Sequence, residues 1–344
     1  MKKTIVLLIL PLLCGMVRAH DFVVTLDGQK VYFNITSEIH RTVEVTYNGG
    51  IADGKPTYYV GELTVPAKVR HNNKVYKVTA IGPKAFSGAD RMTGVVLPSG
   101  LTSIGDFAFE GCTSLSRVIF PGNSVTFGQG VFFRCDKIRD VSLGSDWKEV
   151  DLRMFRWSDS LAFIDIPVKM ERVRNLKSLK CLDSVTVDPN NSRFSAKGGV
   201  LYDKSGKTLY GCPRAYKGKV VVPEGTETVL VGALMDCYGV TAVDLPASLV
   251  SMSFREFGQL SGLSEIEFRG DAPMMTAERE GEKVFLLQVK NRDVKIAVPQ
   301  KSRKVYREAL VTAAGEYTEI NGDKPYLVES GSMPYEKNII SAGK

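Results

Sequence analysis

The stretch "LTSIGDFAFEGCTSLSRVIFPGN" at residues 101–123 decides the fold, because its pattern recurs along the chain. A shift of 23 residues superimposes its apolar positions on those of the neighbouring segments. A fixed period of this length is typical of proteins that stack one small structural unit many times. The stretch is therefore one copy of a repeat, whose two most regular positions are occupied by Phe86, Phe109, Phe132 and Phe155, and by Val95, Val118, Val141 and Ile164.

Each copy divides into two parts with different spacing. The second part reads L-x-x-V-x-L-P, as in Leu115, Val118, Phe120 and Pro121, and its alternation predicts a strand with one buried face. Proline then ends the strand because it cannot donate to a ladder. The first part, I-G-x-x-A-F-x-G-C, places Phe109 in a single turn between two glycines. Because 23 residues cannot enclose a core, the copies must stack into a solenoid with internal columns of like side chains.

The copies "VTAIGPKAFSGADRMTGVVLP" and "LTSIGDFAFEGCTSLSRVIFP" resemble the BspA-like class of leucine-rich repeats, which occurs in exported proteins of Bacteroidetes-type bacteria and some protists. The resemblance implies a β-rich solenoid with a parallel concave sheet and short helical turns on the convex side. It covers roughly residues 77–189 and 221–273. The preceding segment "YFNITSEIHRTVEVTYNGG" resembles the N-terminal lead-in of that family, which predicts an N-terminal β cap.

The organisation of the chain follows from where the repeat degrades and resumes. After Pro189, two apolar runs flank a turn at residues 203–206, which predicts a hairpin inserted between two repeat blocks. We expect this insertion to project from the solenoid. The predicted parts are a signal peptide at 1–19, an N-terminal β cap at 20–76, the first repeat block at 77–189, the hairpin insertion at 190–220, the second repeat block at 221–273, a C-terminal cap at 274–320 and a tail at 321–344.

The first nineteen residues, "MKKTIVLLILPLLCGMVRA", have the basic start, apolar run and small-residue end of a signal peptide. We expect cleavage after Ala19, and export to the cell surface, the extracellular space or the periplasm. A lipoprotein anchored through Cys14 is an alternative, although Leu13 stands where that signal has a small residue. No other segment is long and apolar enough to span a membrane, so the mature chain is expected to have no transmembrane segment.

Charge and cysteine content exclude several function classes. Without residues 1–19, which contribute three basic and no acidic residues, the formal charge falls from +7 to +4, and no basic run of five occurs. Nucleic-acid binding is therefore not indicated. The remaining five cysteines include no C-x-x-C pair, so neither a zinc site nor a full disulfide framework is predicted. Cys112, Cys135 and Cys237 occupy equivalent places and are expected to be buried free thiols, although a bridge between neighbours stays open.

Catalysis has weak support in the sequence. The chain has three histidines, His20, His40 and His71, and none lies in the repeats, so a nucleophile activated by histidine is not expected. Asp244 and Glu267 fall on neighbouring strands at the same place, a spacing near that of the two carboxylates of a retaining glycosidase. A glycan-acting enzyme is therefore kept as an alternative. No cofactor, no metal and no catalytic residue is assigned.

Recognition is the better-supported hypothesis. The variable strand positions of the first block face outward on the expected concave side, where aromatic and arginine side chains stand among polar ones, as in protein interfaces. We predict an exported, non-enzymatic protein that binds a macromolecule, whether a host protein, a cell or a glycan, through this face. A cell-envelope structural or interaction role without a host ligand is the alternative, and an ordinary sheet face with no ligand also stays open. The candidate binding residues are Arg117, Ile119, Arg139, Phe163 and Asp165.

Overall fold

The computed structural model of the chain describes residues 20–47, 59–253, 256–272, 277–279, 282–284, 294–306 and 339–341. The predicted signal peptide, and the predicted tail apart from residues 339–341, lie outside this part of the chain. No helix in the described ranges has the length and apolarity needed to cross a bilayer.

The N-terminal residues form a β cap whose strands pair with the first strand of each sheet of the solenoid. Strands β1, β2 and β3 pair antiparallel, as do β5 and β6, and tight turns with positive φ at Gly28 and Asn73 connect two of these pairs. The strand pairing then changes to parallel: β3 pairs in parallel with β6, and β4 pairs in parallel with the first repeat strand. The strands are β1 (Phe22–Leu26), β2 (Gln29–Ser37), β3 (Thr42–Thr46), β4 (Val60–Thr64), β5 (Lys68–His71) and β6 (Lys74–Ile81).

The first repeat block contributes two parallel sheets, one from each part of the repeat. The L-x-x-V-x-L parts form the ladder β4-β7-β9-β11 and the separate pair β13-β15, and the I-G parts form β6-β8-β10 and the pair β12-β14. The strands are β7 (Arg91–Val96), β8 (Ser103–Ile104), β9 (Arg117–Ile119), β10 (Thr126–Phe127), β11 (Asp140–Ser142), β12 (Glu149–Asp151), β13 (Phe163–Ile166), β14 (Arg172–Arg174) and β15 (Ser184–Val187), with short 3-10 helices at Leu152–Phe155 and Leu176–Ser178.

The predicted column of aromatic rings is confirmed. Phe86, Phe109, Phe132 and Phe155 stack in register, with successive ring centroids 5.1, 5.2 and 5.3 Å apart and interplanar angles of 17–19°. Tyr59 closes the N-terminal end of the column, with its ring 5.0 Å from that of Phe86. All four phenylalanines are fully buried, so the column supplies the centre of the core.

Both sheets of the first block are interrupted at the same level. In this part of the described chain, β11 forms no ladder with β13, and β10 forms none with β12. Trp147 fills the core there: its indole N–H donates to the carbonyl oxygen of Asn123 at 2.7 Å, and its ring packs on Phe120 and Phe127. Side-chain packing therefore continues where the backbone ladder stops.

The sequence analysis predicted that the hairpin insertion projects from the solenoid. The structure shows instead that the insertion is part of the solenoid. Strands β16 (Phe194–Lys197), β17 (Val200–Asp203) and β18 (Thr208–Gly211) pair antiparallel, and β18 then pairs in parallel with the next repeat strand. The physical reason is the burial of both faces of β17. Leu201 belongs to the core of the first block, while Val200 and Tyr202 belong to a second core.

The second block continues the parallel stacking, which was expected for residues 221–273. Strands β19, β21, β22, β25 and β26 form one parallel sheet, and the expected terminal strand "VKIAVP" is β25. Residues 303–306 begin the expected C-terminal helix, and its remainder lies outside the described residues. The elements are β19 (Gly218–Val221), β20 (Thr228–Val229), β21 (Val240–Leu245), β22 (Glu265–Phe268), the hairpin of β23 (Ala277–Arg279) and β24 (Glu282–Val284), β25 (Lys295–Val298), a 3-10 helix at Gln300–Ser302, and β26 (Ile339–Ser341).

One turn of the second block uses a carboxylate in place of backbone acceptors. In the regular copies, turn N–H groups donate to carbonyl oxygens of the next copy, as Phe86 does to Ala108 at 2.8 Å. The N–H groups of Gly232 and Leu234 instead donate to the carboxylate of the fully buried Glu256, at 2.6 and 2.9 Å. Burial raises the pKa of the Glu256 carboxyl, while the two backbone N–H groups oppose that change.

Candidate functional site

The outward-facing side of β4, β7, β9, β11, β13 and β15, here called the outer strand face, carries an ordered row of charges. The strand register places Glu62, Gly94, Arg117 and Asp140 side by side on successive strands. The Arg117 guanidinium lies 3.2 Å from the Glu62 carboxylate through Nη1 and 3.1 Å from the Asp140 carboxylate through Nε. Arg117 therefore joins β4 to β11 across the sheet.

Gly94 is what allows the Glu62 side chain to reach Arg117. A Cβ atom at residue 94 would lie 3.1 Å from Cγ of Glu62, closer than a relaxed contact. The Glu62 side chain therefore lies over the glycine and spans the intervening strand. Sequence reasoning missed Glu62, although "ELTVP" at residues 62–66 ends in an apolar residue followed by proline, as the repeat strands do.

Ile119 and Arg139 lie beside this row. Ile119 is half-buried and stands in register between Val96 and Ser142. Arg139 immediately precedes β11, is exposed, and has no ion-pair partner among the described residues. The structure thus brings three predicted residues, Arg117, Ile119 and Arg139, together on β9 and at the start of β11.

Phe163 and Asp165 lie on the other side of the interruption. They belong to β13, which pairs with β15 and not with β11. The Phe163 ring is 51% exposed, and the Asp165 carboxylate accepts a hydrogen bond from the Thr186 hydroxyl. These two residues therefore extend the outer strand face from a separate ladder, and the assignment of all five residues as a binding site stays a prediction.

The two carboxylates of the enzymatic alternative are held by cations. Asp244 and Glu267 are direct neighbours in register, as expected. Lys219 Nζ lies 3.1 Å from Glu267 and 3.6 Å from Asp244, and Arg269 Nε lies 2.8 Å from Asp244, although no well-angled hydrogen bond joins the last pair. A glycosidase needs one protonated carboxylic acid beside one carboxylate. In this structure both carboxylates are instead paired with cations.

The five cysteines of the described residues are free thiols, and four of them are buried, as predicted for Cys112, Cys135 and Cys237. The Cys112 thiol donates to the Phe86 carbonyl at 3.2 Å, and the Cys135 thiol donates to the Phe109 carbonyl at 2.9 Å. Burial raises the pKa of Cys112 well above its usual value. These thiols are therefore packing residues behind the turns, and the described residues contain no group of side chains suited to a metal ion.

Cys237 differs from the other thiols because a cation reaches it. Lys177 Nζ lies 2.9 Å from Cys237 Sγ and donates to the Cys212 carbonyl at 2.7 Å. A hydrogen bond from the Cys212 thiol, together with the Lys177 charge, lowers the pKa of Cys237 below that of an ordinary thiol. The same coupling raises the pKa of Cys212.

An aromatic cleft opens near the interruption between β10 and β12. Its volume is about 550 Å³, and Trp157, 40% exposed, meets Phe133 edge to face at 5.2 Å on its wall. The Asp151 carboxylate, also on the wall, accepts hydrogen bonds from the Arg153 guanidinium. The side-chain hydrogen bond from Arg153 lowers the pKa of Asp151 to about 2.

Comparison with known proteins finds a family whose model matches the repeats. Residues 73–195 match the BspA type leucine rich repeat region in six copies. The matched residues contain β7 to β15, the whole of the stacked phenylalanine column and most of the outer strand face. No curated protein matches the sequence.

The chain also has weak similarity to several solved structures. The pneumococcal vaccine antigen PcpA is 16% identical, with 85% of this chain and 97% of that chain covered at a TM-score of 0.43. A leucine-rich cell surface protein from Faecalibacterium prausnitzii is 19% identical, with 82% and 89% covered at 0.38. A leucine-rich repeat protein from Bacteroides ovatus is 18% identical, with 83% and 81% covered at 0.42.

The family match rests on the same positions that the structure stacks. The period of 23 residues, the buried phenylalanine column and the two parallel strands of each copy all fall within the matched segment. Residues 73–195 of the chain are therefore similar to the BspA type leucine rich repeat region.

Proposed function

We propose that the chain is an exported, non-enzymatic protein that recognises a macromolecule, either a protein or a glycan, through the outer strand face. The repeat family indicates a protein-interaction role. The signal-peptide pattern of residues 1–19 supports export and exposure at the cell surface. The alternative is an interaction within the cell envelope, which would use the same face with a different partner.

The observation that carries the proposal is a half-exposed aromatic ring on the same outer strand face as an ordered charge row. Parallel sheets are usually covered on both faces, yet Phe163 is 51% exposed and Arg117 is held open to solvent between two carboxylates. Exposed ion pairs contribute only about 0–1 kcal/mol to stability. The row therefore does little for the fold, and its main effect is to fix the position of an arginine on the surface.

The test measures binding of the purified chain to an array of extracellular-matrix proteins and glycans. Phe163→Ala combined with Arg117→Ala should weaken capture of the bound ligand at least ~10-fold, because aromatic and arginine anchors dominate such interfaces. The melting temperature should stay nearly unchanged. Ile39→Ala is the matched control, since Ile39 is 90% exposed in the N-terminal cap. Equal affinity of the double variant and the unmodified chain would show that the ligand does not bind through this face.

A further inference from the structure

A second cleft lies where the I-G sheet of the first block ends. It lies between β14 with the residues after it and the hairpin sheet β16-β17-β18, and its volume is about 510 Å³. The two sides of the cleft meet closely at Leu176 and Gly211. A Cβ atom added at Gly211 would lie 3.0 Å from the Leu176 side chain. The volume is in the range of ordinary ligand sites.

One wall of the cleft is an open strand edge. The Arg172 N–H donates to the Lys148 carbonyl at 2.9 Å, and β14 pairs with β12. In a parallel ladder the N–H and C=O groups of alternate residues point to opposite sides. The backbone groups of Val173 therefore point away from β12. Among the described strands none pairs with this edge, because β18 already pairs with β17 and β20.

The cleft is basic. Its lining contains one acidic side chain, Glu171, and four basic ones. Arg172 and Arg174 share the single Glu149 carboxylate at 3.1 and 2.7 Å. Arg193 has no ion-pair partner within the described ranges and is exposed. The basic residues of the lining are Arg172, Arg174, Lys177 and Arg193.

The cleft also presents apolar surface between the charges. Phe194 is buried and meets the partly exposed Tyr210 ring edge to face at 5.5 Å. Val231 at the rim is 82% exposed. A ligand that fits must therefore combine negative charge with apolar groups and supply backbone hydrogen-bond partners for Val173.

We propose that this cleft binds an extended acidic peptide segment, which adds to β14 as a further strand. The peptide backbone would bond to the N–H and C=O groups of Val173, as in other cases of strand addition. Acidic side chains of the peptide meet Arg172 and Arg193, and apolar ones contact Tyr210 and Val231. The cleft lies in the sheet of I-G strands, so it is separate from the outer strand face and independent of the function proposed for that face.

The test uses the purified chain and a fluorescent ten-residue peptide of alternating Val and Glu, followed by fluorescence anisotropy. We expect saturable binding that falls at least ~10-fold when the peptide backbone is N-methylated, and by as much when Lys replaces Glu. Arg193→Ala should weaken binding about 5-fold or more, since it removes the unpaired cation. Arg156→Ala, in the aromatic cleft, is the matched control and should leave binding unchanged.

Three results would overturn the inference. They are absence of binding, equal binding of the N-methylated peptide, which would mean charge attraction alone, and equal binding by the Arg193→Ala variant. Phe163→Ala with Arg117→Ala should leave peptide binding unchanged. Failure of the outer strand face in its own assay would therefore be distinguishable from failure here.

Discussion

Truncation of one ring in the stacked column tests the architecture most directly. Phe109 is fully buried and stacks on two rings, with centroids 5.1 and 5.2 Å away. Removing a buried Phe side chain costs about 3–5 kcal/mol, and each lost aromatic contact contributes about 0.5–1.5 kcal/mol within that range. We therefore expect Phe109→Ala to lower the free energy of unfolding by about 4–5 kcal/mol. Because the urea slope rises with the surface exposed on unfolding and should be about 3 kcal/mol/M for a chain of this size, the midpoint should fall by roughly 1–2 M.

The assay is urea denaturation followed by circular dichroism, which reports on the whole chain, and by tryptophan fluorescence, which reports on the first block through Trp147 and Trp157. Phe163→Ala is the matched control: the same side chain is removed from a site that is 51% exposed, and the cost should stay below about 1 kcal/mol. A loss below about 1 kcal/mol for Phe109→Ala, or equal losses for both variants, would refute the reasoning from the column.

Glu256→Ala should cost about 2–4 kcal/mol in urea denaturation, because two buried N–H groups lose their acceptors, and Glu256→Gln should cost less because the amide keeps one of the two acceptor oxygens; a loss below about 1 kcal/mol for Glu256→Ala would count against the carboxylate's role. The folded pKa of Asp151, about 2, lies below the unfolded value of 3.8, so its stabilisation is present above pH 4 and is lost as the pH falls towards 2. Melting temperatures of Asp151→Asn should be flatter than those of the unmodified chain in that window, and parallel curves would contradict this. Lys177→Met should raise the pKa of the buried Cys237 thiol, followed by the ultraviolet absorbance of the thiolate in a pH titration of the folded chain, and an unchanged profile would show that the lysine does not act on the thiol.

The repeat itself was predictable because a fixed period gives equivalent residues equivalent surroundings. Once Phe86 and Phe109 are aligned at a spacing of 23, stacking is the simplest way to bury both, and the structure confirms it. The register of β9 on β11 follows from the same alignment. The sequence pattern therefore predicts a contact correctly wherever the two residues in contact are one period of 23 residues apart.

The remaining features depend on contacts that do not follow the period. The β5–β6 hairpin separates Glu62 from Gly94, so the row that holds Arg117 cannot be read from a shift of 23 residues. The turn at residues 203–206 predicted a hairpin, but not that Leu201 and Tyr202 would face different cores. Within the candidate site, Arg117 and Phe163 were identified from their outward positions, whereas the interruption between β11 and β13 has no signal in the repeat alignment.

The placement of β17 has a consequence for how the molecule melts. This strand of four residues gives Leu201 to one core and Tyr202 to the other. If either half unfolded, the side chains that β17 contributes to that half would be exposed to water. The other half would then lose part of the packing that holds β17 in place. Heat or denaturant should thus disrupt the two halves together, and a protease cut in the hairpin would weaken both.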